Sequence, residues 1–230
     1  MSQRIIHLVR HGQIDPGAPA PDPQGWGLTR LGHHQAALTA ARLRHVPATC
    51  IHHSPARRAT ETATIIARQL PGIPLHASPL LRECVGYVPP AFREWLTQAE
   101  AAAPPQDQPE IPAAMQPWLA LWARHPGLDD VVNGERQAQH AFAACFPAAG
   151  AVVEHEIVVS HAALIAYLVC RVLQVPLELY LNLEAYNCSI SEVLVDGSGQ
   201  TKLLSFNDAG HLPYQLRTSN EVSMSWFDRL

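Results

Sequence analysis

The chain has 230 residues, of which 47% are hydrophobic and 16% charged, with a formal net charge of -4. That length suits one medium domain or a domain with a large insertion, and the apolar content is ample for a core. The composition argues against a disordered chain. The mild negative charge, without blocks of like sign, argues against a broad face for nucleic acid or anionic membrane, so any phosphate affinity must come from a few focused cations.

The first predicted element is a buried strand over residues 3–9, built on Ile5-Ile6-His7-Leu8-Val9. It empties into Arg10-His11-Gly12, which sets a guanidinium beside an imidazole where a strand meets a loop. In open α/β sheets ligands collect outside the carboxyl ends of the strands. A histidine there can attack phosphorus while the arginine holds the phosphoryl oxygens. A Pro/Gly-rich loop follows from Asp15 to Gly27, and Thr29 reads as the N-cap of an alanine-rich helix over about residues 30–45. Cys50 to His53 reads as a second short strand ending at Ser54-Pro55. Ala56 to Leu70 reads as a helix stopped by Pro71-Gly72, and Leu75 to Ala77 as a short strand.

Residues 84–135 differ in character. They hold Pro89, Pro90, Pro104, Pro105, Pro109, Pro112, Pro117 and Pro126, with Trp95, Trp118 and Trp122. Two short helices are expected near 91–102 and 113–124, in an insertion lying over the active-site end of the sheet as a lid. A packing or dimerisation element is the equal alternative. Beyond it, Glu156-Ile157-Val158-Val159-Ser160 is a β-branched strand signal and His161 to Leu173 the helix after it. Ser189 to Val195 and Thr201 to Phe206 read as strands joined by the turn Asp196-Gly197-Ser198-Gly199. The alternation predicts an α/β fold: a doubly wound, mostly parallel sheet flanked by helices, with an antiparallel edge strand and an inserted helical lid. Residues 1–230 are read as one domain, with 84–135 inserted within it.

Five scattered cysteines, odd in number and without a Cys-x-x-Cys pair, suit reduced thiols better than a disulfide framework or a zinc site. Charged Arg10 ends the first apolar stretch early, unlike a signal core, and the apolar run Ala162 to Cys170 is too short to span a bilayer. These features predict a cytoplasmic protein with no membrane or nucleic-acid partner.

Chemistry-bearing groups recur at successive strand ends: Arg10, His11 and Gly12; then Ser54-Pro55-Ala56-Arg57-Arg58-Ala59-Thr60-Glu61-Thr62-Ala63; then Leu81-Arg82-Glu83; then Ser160-His161-Ala162. In these motifs the chain resembles the histidine phosphatase superfamily, the phosphoglycerate-mutase-like group with the Arg-His-Gly signature. The resemblance extends to Leu28-Thr29-Arg30-Leu31-Gly32, to Gly134-Glu135 ahead of a helix, and to Asn207-Asp208-Ala209-Gly210-His211-Leu212. It is weakest over residues 84–133.

The resemblance implies that His11 accepts the phosphoryl group as a phosphohistidine. Arg10 and Arg58 would clamp the non-bridging oxygens, the family spacing selecting Arg58 over Arg57. His161 would complete the pocket, and Glu83 would protonate the leaving alkoxide and then activate water. Gln13 and the backbone amide of Ala162 are further candidate phosphate donors. Phosphoryl transfer needs charge neutralisation at the equatorial oxygens and in-line positioning, which two arginines and a second histidine can supply. No cofactor and no metal are therefore expected.

The remaining histidines, including His7, His33, His34, His52 and His53, read as structural. Arg57 reads as a solvated helix residue, and Ser54 as a helix-start cap rather than a partner of the pocket. His211 and Asn187 lie in segments that the resemblance brings near the pocket, without direct contact being assigned to either. The three tryptophans of the insertion read as core or interface anchors.

Gln13-Ile14-Asp15-Pro16-Gly17 follows the signature where phosphoglycerate mutases carry Glu-Ser and then Trp-Asn. This favours a phosphomonoester hydrolase acting on a phosphorylated small molecule or phosphopeptide. Phe92, Trp95 and Leu96 suit a bulky organic phosphate or a phosphopeptide. The alternatives are a mutase-type phosphotransferase and a non-catalytic phospho-ligand or interaction module on the same fold. A homodimer is the expected assembly.

Overall fold

A computed structural model describes residues 3–15, 25–84, 131–150 and 153–219, with positions 90, 91, 94, 95 and 98. Its elements run β1 (Gln3–Arg10), α1 (Arg30–Leu43), β2 (Ala48–His53), α2 (Arg57–Ala67) and β3 (Leu75–Ala77). After a 3-10 turn at Pro79–Leu81 come α3 (Val131–Cys145), β4 (Glu154–Ser160), α4 (Ala162–Leu173), β5 (Ile190–Asp196) and β6 (Thr201–Asp208).

The strands form one six-stranded sheet in the order β3-β2-β4-β1-β5-β6. β1, β4, β2 and β3 are mutually parallel, while β5 runs antiparallel to β1 and β6 antiparallel to β5. The expected doubly wound sheet with its antiparallel edge is what forms. Alternation along the strands sends successive side chains to opposite faces. Ile6, Leu8 and Val158 meet Ala138 and Ala141 of α3 and Leu164, Ile165 and Leu168 of α4 on one face. Val9, Ile157 and Val159 meet Ala40 and Leu43 of α1 and Ala59, Ala63 and Ile66 of α2 on the other. Each such aliphatic side chain contributes roughly 1.5–3 kcal/mol when fully buried, so β1 and β4 are held from both faces. The apolar α4 is buried along nearly its whole length between the sheet and its neighbours. Among the described residues no helix is long and apolar enough to cross a membrane.

Local signals set most element ends. Thr29 caps α1 as expected, its Oγ1 accepting from Gly32 N at 3.0 Å. Asp196 Oδ1 tightens the β5–β6 turn by accepting from Ser198 N at 2.9 Å and Gln200 N at 3.0 Å. Three readings are corrected. Ser54 is not the cap of α2: the N-cap is Ala56, which makes no side-chain cap bond. Pro55 disfavours helical geometry at the residue before it, so the helix starts later, and ahead of it the Ser54 hydroxyl accepts from Ala56 N at 3.2 Å. α2 also ends at Ala67, and the chain reaches Leu70 through a turn. Lastly, α3 begins at Val131, so Gly134 and Glu135 lie within a helix instead of preceding it. The proposed lid with its two short helices falls outside the described residues, apart from the helical positions 90, 91, 94, 95 and 98.

Candidate active site

Because β1, β2 and β4 are parallel, their carboxyl ends share one sheet edge. The register pairs Arg10 with Ser160 and His53 with Val159. The next residue of each strand therefore arrives at the same level, and backbone bonds hold it there: His11 N donates to Ser160 O at 3.0 Å and Ser54 N to Val159 O at 3.0 Å. His11 and His161 end up with ring centroids 5.1 Å apart, edge to face.

His11 is only 4% exposed, and both of its ring nitrogens have assigned partners. Nδ1 lies 2.7 Å from Gly12 O, and Arg58 Nε donates to Nε2 at 3.1 Å. A carbonyl only accepts and a guanidinium only donates. The proton therefore sits on Nδ1, and Nε2 carries a lone pair beside a cation. Burial pulls the Arg58 guanidinium below its ordinary value, with the Glu83 carboxylate opposing the shift.

Arg10, at the end of β1, is buried; its Nη1 donates to Ala185 O and approaches Glu184 Oε1 at 3.4 Å. The receiving segment is shaped by Asn207, whose Oδ1 accepts from Tyr186 N at 2.7 Å and whose Nδ2 donates to Glu184 O at 3.0 Å. His161 is fully buried, and its Nε2 lies 2.8 Å from Ser54 Oγ. The Ser54 hydroxyl is thus a partner of the second histidine. Glu83 follows the 3-10 turn, which Ser160 Oγ ties to β4 by donating to Leu81 O at 2.9 Å. Its Oε1 accepts from Leu164 N, in the first turn of α4, at 3.4 Å. Ala162 is the first residue of α4, directly after His161.

Gln13 is tied to the start of α1. Thr29 Oγ1 donates to its Oε1 at 2.6 Å, and its backbone N donates to Gln35 Oε1 at 2.9 Å. Arg57 is exposed and pairs with Glu61 one helical turn on at 2.9 Å, as a solvated helix residue should.

Sequence reasoning missed the supports of the signature loop. Gly12 and Gly32 lie backbone to backbone: a Cβ on Gly12 would meet Gly32 O at 2.6 Å, and one on Gly32 would meet Gln13 O at 2.2 Å. Thr62 Oγ1 accepts from Gly12 N at 3.1 Å and donates to Arg58 O at 2.8 Å, coupling the loop to the arginine. Asn187 Nδ2 donates to His11 O at 3.1 Å, while its Oδ1 accepts from Thr218 Oγ1 at 3.0 Å. Gln35 Nε2 reaches the same threonine at 2.9 Å. Cys188, at φ 61, turns its N–H onto Arg10 O at 3.0 Å. His211 stands further back, with Nε2 2.9 Å from Thr39 Oγ1 and 3.1 Å from Cys188 O. The strand-end tripeptides are the visible signal; their partners lie at separations no local pattern reveals.

A sequence profile described as the histidine phosphatase superfamily (branch 1) matches residues 6–209. The chain is 31% identical to serine/threonine-protein phosphatase Pgam5, mitochondrial, of Caenorhabditis briggsae, over 97% of this chain and 68% of that protein. It is 32% identical to PGAM5 of Homo sapiens, also named a mitochondrial serine/threonine-protein phosphatase, over 91% of this chain and 64% of that protein. The chain thus spans about two thirds of the length of these curated relatives. Phosphoglycerate mutase from Plasmodium falciparum superposes with a TM-score of 0.56 at 25% identity, covering 93% of this chain and 96% of that one. These relatives are named as mitochondrial, which overturns the cytoplasmic expectation. The five cysteines are free, and free thiols identify no compartment. With the signature groups gathered at one sheet edge and the profile running through nearly all of the sheet, the chain belongs to the histidine phosphatase superfamily.

Proposed function

We propose that the chain is a phosphomonoester hydrolase that works through a phosphohistidine on His11. The observation that carries this reading is the fixed tautomer of His11: Nδ1 is committed to Gly12 O, and Nε2 offers its lone pair at the guanidinium of Arg58. When a phosphoryl group enters, Arg58 and Arg10 transfer their donors to its oxygens, and Nε2 is released for in-line attack. The Nε2–P bond forms as the P–O bond to the leaving group breaks, and Glu83 supplies the proton that the leaving oxygen takes up. Glu83 then accepts a proton from water, whose oxygen attacks phosphorus and returns His11 to its starting state. His161, steadied by Ser54, donates to the same phosphoryl group; the amide of Ala162 and the side chain of Gln13 are the outer donors. The positive charge comes from the protein's own guanidinium groups, so the reaction needs no metal.

The substrate we propose is a phosphoserine or phosphothreonine in a peptide or protein. The names of the relatives support that class, as do the apolar residues of the 84–135 insertion, which we read as a lid. The test compares the parent with His11→Ala on an aryl phosphate and a phosphothreonine peptide, in excess chelator. Turnover by the parent, its loss in the variant, and an acid-labile, base-stable phosphoenzyme in rapid quench are expected. Turnover surviving in His11→Ala, or its loss with chelator alone, would overturn the proposal. For Glu83→Gln, an equal loss on alkyl and activated aryl esters would remove Glu83 from the role of leaving-group acid.

A further inference from the structure

A second cluster of reactive side chains sits partway along β2 and β4, not at their carboxyl ends. Cys50 and His52 are two apart on β2 and so share one face of the sheet. Glu156 stands beside Cys50 in the β2–β4 register. His52 Nε2 lies 3.2 Å from Cys50 Sγ and 3.9 Å from Glu156 Oε2. One ligand atom from each of the three residues lies within 4.8 Å of the others.

We propose that Cys50, His52 and Glu156 form a binding site for a borderline-soft divalent cation of the zinc class. A sulfur, an imidazole nitrogen and a carboxylate oxygen are the donor set that zinc selects. Bonds of about 2.3 Å to sulfur and about 2.0 Å to nitrogen or oxygen place tetrahedral ligand atoms roughly 3.3–3.5 Å apart. The two separations from His52 Nε2, 3.2 Å to Cys50 Sγ and 3.9 Å to Glu156 Oε2, bracket that range. Glu156 is also oriented for the task. Arg4 Nη2 donates to its Oε1 at 2.5 Å, leaving Oε2 turned toward His52. Outer partners of this kind fix ligating carboxylates. His76 pairs with His52 in the β2–β3 register, their ring centroids 5.5 Å apart. Access is available: the His52 side chain is 37% exposed, and Cys50 is the one cysteine of the five that is not buried. Binding exchanges the Cys50 thiol proton for the cation, so one proton leaves for each metal bound.

This site lies apart from the phosphate pocket, so its test does not use hydrolysis as a readout. The whole chain is titrated with Co2+ and followed by absorption, then challenged with Zn2+. One cobalt per chain, a thiolate-to-cobalt charge-transfer band and its displacement by zinc are expected. Cys50→Ser should abolish the band and His52→Ala should weaken binding by about tenfold or more, while His34→Gln, on the exposed face of α1, leaves both unchanged. Far-UV circular dichroism of each variant checks folding, and His52→Ala serves if Cys50→Ser does not fold. Absence of a thiolate band in the parent overturns the proposal. So does a band that survives Cys50→Ser and vanishes in Cys145→Ser.

Discussion

Strands β2 and β4 take part in both clusters, with β1 joining the first, and the contrast between the two lies in how far the protein has already restrained the groups. At the carboxyl ends, His11 and His161 are at most 4% exposed, and backbone bonds, carbonyls and hydroxyls hold the residues around them. Midway along the strands, Cys50, His52 and Glu156 are half-buried and meet mainly one another and Arg4. The first region has its geometry before any ligand arrives, which is what stabilising charge in a transition state requires. The second gains its geometry from whatever binds there. Preorganisation here follows from where a strand stops. Past the last paired residue the chain still has backbone donors and acceptors to place, and these become the scaffold of the pocket.

The largest effect expected at the preorganised region comes from Arg58. Arg58→Ala should lower kcat/KM by roughly 10²–10³, and Arg58→Lys should recover little of it, because an ammonium lacks the planar fork that meets His11 Nε2 and phosphate together. Steady-state kinetics on an aryl phosphate reads both; full recovery by lysine would mean the fork is irrelevant. Next comes Gly12→Ala, which drives a methyl group onto Gly32 O and should cost about 1–3 kcal/mol in urea unfolding. Gly150→Ala, where nothing lies within 4 Å of the added carbon, should stay within about 0.5 kcal/mol. Equal costs at the two glycines would show that the loop is less tightly seated than its backbone contacts imply.

Removing the hydroxyl in Ser54→Ala takes away the neighbour of His161 Nε2 and should cost about 1 kcal/mol, seen as a roughly fivefold fall in kcat with KM little changed. The gentlest test is pH. His7 is buried, faces Glu192 and His155 and feels Arg42, and burial lowers its pKa from 6.5 against the pull of Glu192. His211 is lowered from the same value by burial, with Asp208 opposing the shift and Arg42 and Arg217 reinforcing it. In the unfolded chain both take a proton as pH falls through 6.5, while the folded chain resists. Stability is therefore complete above 6.5 and declines as pH drops from there through the folded values. Denaturant unfolding between pH 7.5 and 5, with markers at roughly half-unit steps, should show that decline, and His7→Phe should make it shallower. An unchanged slope would remove His7 as its source.

The sequence by itself determined the strand–helix alternation, the cap at Thr29, the hairpin turn and the strand-end motifs whose His11, Arg58 and His161 come together at one sheet edge, because each is written locally as periodicity, punctuation or a strand-end motif. What it left open depended on pairing. Ser54 reads as a cap because its neighbours in sequence are the start of a helix, but its hydroxyl also meets His161, the residue just past β4, brought there by a parallel register. Gly12 and Gly32 have no visible reason until two backbones are pressed together. Asn187 and Thr218 show no local pattern that joins them to His11. A Cys-x-His pair offered no zinc signature until the sheet set Glu156 beside it. Local free energy is legible along one chain; contacts between distant segments depend on strand order and register, and only the folded sheet decides those.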